Sequence, residues 1–135
     1  MTALFDIQSA ADIKLLVDTF YGKVNEDLLL SPIFNDIARV DWSSHLPALY
    51  SFWETLLLGA ATYKGAPFPM HASLPLEQRH FERWLTLFLG TVDEHFAGPK
   101  AEEAKGRALS MADTFARRMG LLKNPEAIAE IANAH

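Results

Sequence analysis

Apolar residues recur at helical spacing along most of the chain, and this periodicity constrains the fold more than any other feature of the sequence. The sequence has no sustained apolar/polar alternation and no Asn-Gly or Asp-Gly hairpin turn, which are the usual signs of paired strands. A first helix is predicted over 9–25, with Ser9 as its N-cap. Its apolar face consists of Ile13, Leu16, Val17, Phe20, Tyr21 and Val24. The pattern predicts an all-α fold.

A second long helix is predicted to end at Leu58, because Gly59 follows it. Its start is either Asp41 or Ser44. Proline is best tolerated in the first turn of a helix, so Pro47 favours the start at Ser44. The inner face of this helix is predicted to carry His45, Leu49, Phe52, Trp53 and Leu56.

Two more long helices are predicted, one starting within 73–76 and ending near 96, the other over 100–119. A short helix or turn is predicted over 28–37. The stretch 62–74 contains several Gly and Pro residues and is expected to be largely irregular. Irregular stretches of this length in small domains are usually either functional or disordered, and the apolar, Pro-rich composition of this one favours a functional stretch.

The size and charge of the chain exclude several classes of function. Its 135 residues suffice for one domain, and its net charge of −5 argues against nucleic acid or an anionic membrane as partner. Without cysteine there is no disulfide, thiolate metal site or thiol nucleophile. The longest apolar run is too short to span a membrane, and the first ten residues do not resemble a secretory signal. A cytoplasmic protein is expected.

The histidines are the residues most suited to a functional site. No HExxH zinc motif, GxSxG elbow or Gly-rich phosphate loop is present. His71 lies in an apolar, Pro-rich segment, and His45 begins an aromatic helix face; either can be a hydrogen-bonded core histidine or a ligand. His95 lies near a helix C-terminus, where an imidazolium interacts well with the dipole. A haem needs one axial nitrogen and a flat apolar slot, and the chain has nine Phe, three Tyr and three Trp to build one.

At these residues the sequence resembles the truncated globins, most specifically group III. The resemblance covers about 14–121, and the order and spacing of its pieces make it specific. The matching pieces are Phe20-Tyr21, 32–35, 42–45 with Phe52-Trp53, 57–59, 63–65, His71 with 73–75, and 81–88. The first 122 residues are accordingly predicted to form the globin domain, and 123–135 a tail that is either a short helix or disordered.

The resemblance implies a two-over-two helical sandwich with His71 as the proximal ligand of the haem iron. It implies a distal site with Tyr21, His45 and Trp84 as polar members and Leu49 as an apolar wall. The haem pocket is then expected to include Phe34, Phe52, Trp53, Met70 and Phe81. The candidates for pairing with the haem propionates are the basic residues Arg79, His80, Lys64 and Arg83.

The expected cofactor is haem b, and the expected ligands are dioxygen, nitric oxide, cyanide and similar small molecules. Tyr21 and Trp84 are both donors suited to a ligand that carries partial negative charge. Strong hydrogen bonds slow ligand release, which suits redox or detoxification chemistry more than oxygen storage or transport. Such an activity, nitric oxide dioxygenation or reduction of peroxide or peroxynitrite, needs a separate reductase. The alternative is a helical interaction module that has lost haem.

Overall fold

The computed structural model of the chain describes residues 3–60 and 74–134, and within them every regular element is helical. A short π-helical segment, Pro32–Ile37, lies between the first two α-helices. The α-helices are α1 (Ala10–Glu26), α2 (Trp42–Leu58), α3 (Gln78–His95), α4 (Pro99–Arg118) and α5 (Pro125–Asn133). The all-α prediction is confirmed. In the described part of the chain no helix is long and apolar enough to cross a membrane.

Helix α1 begins where the sequence predicts. The side chain of Ser9 accepts a hydrogen bond from the backbone N–H of Asp12 at 3.4 Å, which satisfies one of the free donors of the first turn. The whole predicted apolar face is buried, and α1 packs against both α2 and α3. This face carries Tyr21 into the interior.

Of the two starts predicted for α2, the favoured one at Ser44 is wrong and the earlier one at Asp41 is confirmed, since the helix begins at Trp42. Asp41 is the N-cap, and its carboxylate accepts from the backbone N–H of Ser43 at 3.2 Å and from its hydroxyl at 2.7 Å. Pro47 therefore lies in the second turn, where it cannot donate to a backbone carbonyl. Pro47 is exposed, so water can replace the backbone hydrogen bond that the proline cannot make. Gly59 ends the helix with a φ of 73°, as predicted.

Helix α3 begins at Gln78, later than the predicted start within 73–76, and α4 spans nearly the predicted range. The two helices form the most extensive contact between elements, and small side chains on α4 allow the close approach. The buried face of α4 consists of Ala101, Ala104, Ala108, Ala112 and Ala116. Helix α5 packs against both, with Ile128 fully buried.

The two-over-two arrangement consists of the pair α1 and α2 and the pair α3 and α4, which meet where α1 packs on α3. Aromatic rings fill this junction. Phe88 of α3 stacks on Trp53 of α2 at 4.8 Å between ring centroids and meets the edge of Phe20 of α1 at 5.2 Å. The predicted irregular stretch 62–74 falls outside the described residues except for Leu74.

Candidate functional site

A cluster of aromatic side chains forms where α1, the π-helical segment and the start of α2 meet, and Tyr21 is at its centre. The Tyr21 side chain is buried, with 6% of its surface exposed. Its ring centroid lies 5.9 Å from that of Phe34, 5.5 Å from Trp42 and 6.3 Å from His45. Aromatic pairs at these distances favour fixed relative orientations. The cluster therefore presents the Tyr21 phenol in a defined position.

Trp84 brings a second polar aromatic group to the same phenol from α3. Its indole stacks on Phe88 at 5.6 Å and meets Phe20 edge-on at 5.5 Å. Burial raises the pKa of the Tyr21 hydroxyl to about 12, and the nearby Trp84 indole acts in the opposite direction. A neutral phenol can both donate and accept, whereas an indole N–H can only donate. The neutral phenol thus keeps its own O–H as a donor.

His45 and Leu49 lie one turn apart on α2, and both are half-buried. The His45 ring meets Trp42 at 5.4 Å, with an interplanar angle of 78°, and faces Tyr21. Leu49 packs against the core. Of the predicted distal set, the structure therefore brings Tyr21 together with His45 on one side and Trp84 on the other.

The predicted pocket aromatics divide into two groups. Phe34 belongs to the cluster around Tyr21, where it stacks on Trp42 at 5.8 Å. Trp53 and Phe81 are buried within the hydrophobic core, with 2% and 7% of their surface exposed, and the half-buried Phe52 meets Trp53 edge-on. Trp53 and Phe81 thus belong to the core, and Phe52 packs against it.

The candidate propionate partners occupy different environments at the start of α3. Arg79 is exposed and pairs with Glu77 at 3.3 Å. His80 is buried, and its Nδ1 accepts a hydrogen bond from the backbone N–H of Glu77 at 2.9 Å. Burial lowers the pKa of His80, and the nearby Arg79 charge lowers it further. A neutral His80 that accepts at Nδ1 carries its proton on Nε2, and only that nitrogen can donate to a further group.

Three predicted site residues, His71, Met70 and Lys64, lie outside the described residues. Among the residues the structure does describe, no group of three or more His, Asp or Glu side chains could hold a metal ion. Haem iron needs only one axial ligand from the protein, and the described part of the site supplies flat apolar rings together with two donors. The phenol O–H of Tyr21 and the indole N–H of Trp84 fit the ligand-binding side of a haem.

Trp42 is a member of the cluster that reasoning from the sequence did not assign to the site. It touches Phe34, Tyr21 and His45, and its side chain is half-buried. The available signal was its position three residues before His45, which places both on one face of a helix that includes them. The start that the sequence favoured, Ser44, left Trp42 outside that helix.

Comparison with known proteins gives three matches. The profile of the family described as bacterial-like globin matches residues 3–119. A group 3 truncated hemoglobin of Campylobacter jejuni is 38% identical over 88 residues, which cover 62% of this chain and 69% of that protein. The crystal structure of group III truncated hemoglobin from Campylobacter jejuni matches with a TM-score of 0.78 and 31% identity, covering 87% of this chain and 95% of that one. These matches confirm the resemblance that the sequence motifs indicated.

Proposed function

This chain belongs to the bacterial-like globin family, and we propose that it holds haem b through His71 and binds dioxygen and related small ligands beside Tyr21 and Trp84. As a truncated globin it binds haem. The observation that carries the finer proposal is the buried, neutral Tyr21 phenol, which has a hydrogen to donate and lies near the Trp84 indole. When bound, haem supplies an iron atom that takes dioxygen, nitric oxide or cyanide as a ligand.

The two donors discriminate among ligands by charge. A ligand that carries partial negative charge accepts hydrogen bonds from the Tyr21 O–H and the Trp84 N–H, whereas a less polar ligand gains little from them. Each such bond in a water-poor site contributes about 1–3 kcal/mol. Phe34 and Leu49 supply apolar surface that excludes water beside these donors. The side chains thus favour slow release of a polar ligand.

His71 is proposed as the axial ligand. A neutral imidazole donates one ring nitrogen to the iron, and its other N–H is expected to bond a backbone carbonyl, because no carboxylate is close in sequence. The proposed partners of the propionates are Lys64, the Nε2–H of His80, and Arg79, whose side chain is exposed. Met70 and Phe81 are proposed to line the pocket.

Slow release favours redox use of the bound ligand over oxygen storage. We propose nitric oxide dioxygenation, or reduction of peroxide or peroxynitrite, as the reaction class. Each of these turns over only if electrons return to the protein, so a separate reductase is the expected partner. Steady-state turnover with nitric oxide or peroxide in the presence of an added reductant distinguishes a catalyst from a carrier.

Dioxygen dissociation from the haem-loaded protein tests the role of the two donors. Tyr21→Phe and Trp84→Phe are each expected to accelerate dissociation by about 5- to 100-fold, the equivalent of one lost hydrogen bond in a dry site. Tyr50→Phe is the matched control, since Tyr50 bonds Asp18 at the contact of α1 with α2 and is not part of the aromatic cluster. Unchanged dissociation in both Tyr21→Phe and Trp84→Phe would refute the proposed role.

A further inference from the structure

Trp42, the first residue of α2, is held by ring contacts on three sides. It stacks on Phe34 at 5.8 Å with an interplanar angle of 26°, lies 5.5 Å from Tyr21, and meets His45 nearly perpendicularly at 5.4 Å. Tyr21 and His45 are therefore both packed against one indole. A movement of that indole changes the surroundings of both.

A hydrogen bond fixes the same indole at its polar edge. The Trp42 Nε1–H donates to the Oδ1 of Asn35 at 2.8 Å. The amide nitrogen of Asn35 donates to the Oδ1 of Asn25 at 2.9 Å, to the backbone oxygen of Ser31 at 3.2 Å, and to its hydroxyl at 3.1 Å. These bonds orient the Asn35 amide with its oxygen toward Trp42. They tie the indole to the end of α1 and to the π-helical segment.

We propose that Trp42, anchored by Asn35, is a positioning residue that holds His45 against Tyr21 and thereby restricts the access of small ligands to the distal side. This role rests on the proposed function of the site. To move away from Tyr21, the His45 ring must give up its edge contacts with Tyr21 and Trp42. Each aromatic contact favours the packed arrangement only modestly, so a loosened Trp42 should let His45 leave more often.

The π-helical segment is the element on which this arrangement depends. π-Helical turns are rare in proteins and occur frequently at functional sites. Here the segment carries both Phe34, which stacks on Trp42, and Asn35, which accepts from it. The unusual turn thus presents two consecutive side chains to the same indole.

The test uses Asn35→Leu, which removes the anchoring amide with little change in volume. In this variant, we expect carbon monoxide to rebind the haem after flash photolysis about 2- to 10-fold faster, the factor that corresponds to one lost hydrogen bond. Asn25→Ala is the matched control. It removes one of the three bonds donated by the Asn35 amide nitrogen but leaves the two to Ser31 and the bond from Trp42, so the amide stays oriented and the rebinding rate should equal that of the wild type. Trp42→Phe is a second variant, for use if Asn35→Leu folds poorly. It keeps an aromatic ring without the N–H donor, so we expect the same faster rebinding.

Two further measurements separate positioning from general loosening. Nuclear Overhauser contacts between the rings of His45 and Trp42, which need no haem, should weaken in Asn35→Leu and persist in Asn25→Ala. In a His45→Leu background, Asn35→Leu should no longer change the rebinding rate, because the residue through which it acts is gone.

The possible failures are distinguishable. Wild-type rebinding rates in both Asn35→Leu and Trp42→Phe, or an equal effect of Asn35→Leu with and without His45, would overturn this inference and leave the proposed function standing. Failure of the wild-type chain to take up hemin would overturn the proposed function and the access role together.

Discussion

At the residue scale, Tyr21 combines a place in the core with the chemical role proposed for it. The phenol is buried among aromatic rings, and the indole of Trp84 is a polar group near its hydroxyl. Burial also raises the pKa of the phenol to about 12. Across the physiological pH range Tyr21 is therefore neutral and able to donate.

The raised pKa of Tyr21 predicts a loss of stability in alkali. The unfolded chain releases the phenolic proton near the ordinary pKa of 10.0, but the folded chain holds it to about 12. The free energy of unfolding should therefore fall between these values, by roughly 2–3 kcal/mol from this residue. The free energy of unfolding, measured in urea across that pH range, should decline less for Tyr21→Phe than for the wild type. Identical declines for the two proteins would show that the phenol is not buried as described.

Sequence reasoning located individual site residues to different extents. The resemblance to the truncated globins indicated Tyr21, His45 and Trp84, although helical spacing alone made Tyr21 and Trp84 ordinary members of apolar faces. Trp42 was missed because its role depends on a hydrogen bond to Asn35 across a π-helical turn. Such a turn has no clear signature in the local pattern of apolar residues.

At the scale of single elements, the start of α4 depends on a residue far away in the sequence. The carboxylate of Asp6 accepts from the backbone N–H groups of Lys100 at 2.9 Å and Ala101 at 2.8 Å. Burial raises the pKa of Asp6, but these bonds outweigh it and hold the pKa below its usual value. Gly98 precedes the helix with a φ of 142°, and a Cβ there would lie 2.6 Å from Cγ of Asp6.

Two glycine substitutions, one before α4 and one within it, should have opposite effects on stability. Gly98→Ala should lower the free energy of unfolding by about 1–3 kcal/mol, because alanine disfavours this backbone conformation and its methyl group displaces Asp6. Gly106→Ala, within α4 and with open space around it, should raise the same quantity by about 0.5–1 kcal/mol. Urea denaturation measures both. A neutral Gly98→Ala would mean that Asp6 does not cap α4.

The end of α1 is tied to α3 by an ion pair beside the site. The Asp27 carboxylate accepts from Arg83 Nε at 2.6 Å and from the backbone N–H groups of Leu29 and Leu30. Its side chain is only 6% exposed. Burial raises the pKa of Asp27, but the Arg83 bond and the backbone bonds outweigh it, so the pKa lies below its usual value. Arg83, a candidate propionate partner by sequence, is thus paired within the protein.

Removing the Arg83 guanidinium should lower the free energy of unfolding more than removing that of Arg107, because only Arg83 is paired with a buried carboxylate. Arg83→Met leaves the buried carboxylate without its cation and should lower the free energy of unfolding by about 1.5–3 kcal/mol at neutral pH. The Asp27 contribution is present above the ordinary carboxyl pKa and is lost as pH falls through its lowered value, so the variant should lose less stability in acid. Arg107→Met breaks the exposed pair with Glu103 and should cost about 0.5 kcal/mol or less. Equal costs for the two variants would contradict this interpretation.

The positions of the helices were predictable because apolar spacing repeats over many residues, whereas two of their starts were not. Asp41 and Ser44 are both suitable N-caps, and the choice depends on the bonds that Asp41 makes with Ser43. The start of α3 at Gln78 coincides with a bond from the Glu77 backbone to His80. Histidine at that position is not part of the usual capping signature.

At the scale of the whole molecule, two helix pairs share an aromatic junction, and the aromatic cluster around Tyr21 lies beside it. Phe20 and Phe88 connect the junction to Trp84, while Tyr21 follows Phe20 in α1. The fold class could be predicted from periodicity, but the two-over-two arrangement was indicated only by the family resemblance. Helix α5 lies beyond residue 119, where the family match ends, and packs on α3 and α4.

Titration of the purified chain with hemin, followed by visible absorption, tests the central claim most directly. The wild-type chain should bind a single equivalent and develop a Soret band, whereas His71→Ala should lose tight binding. His95→Ala should behave as the wild type, since His95 lies at the far end of α3 near Glu94. A wild-type chain that stays colourless, or a His71→Ala variant with an unchanged spectrum and affinity, would contradict haem binding through His71.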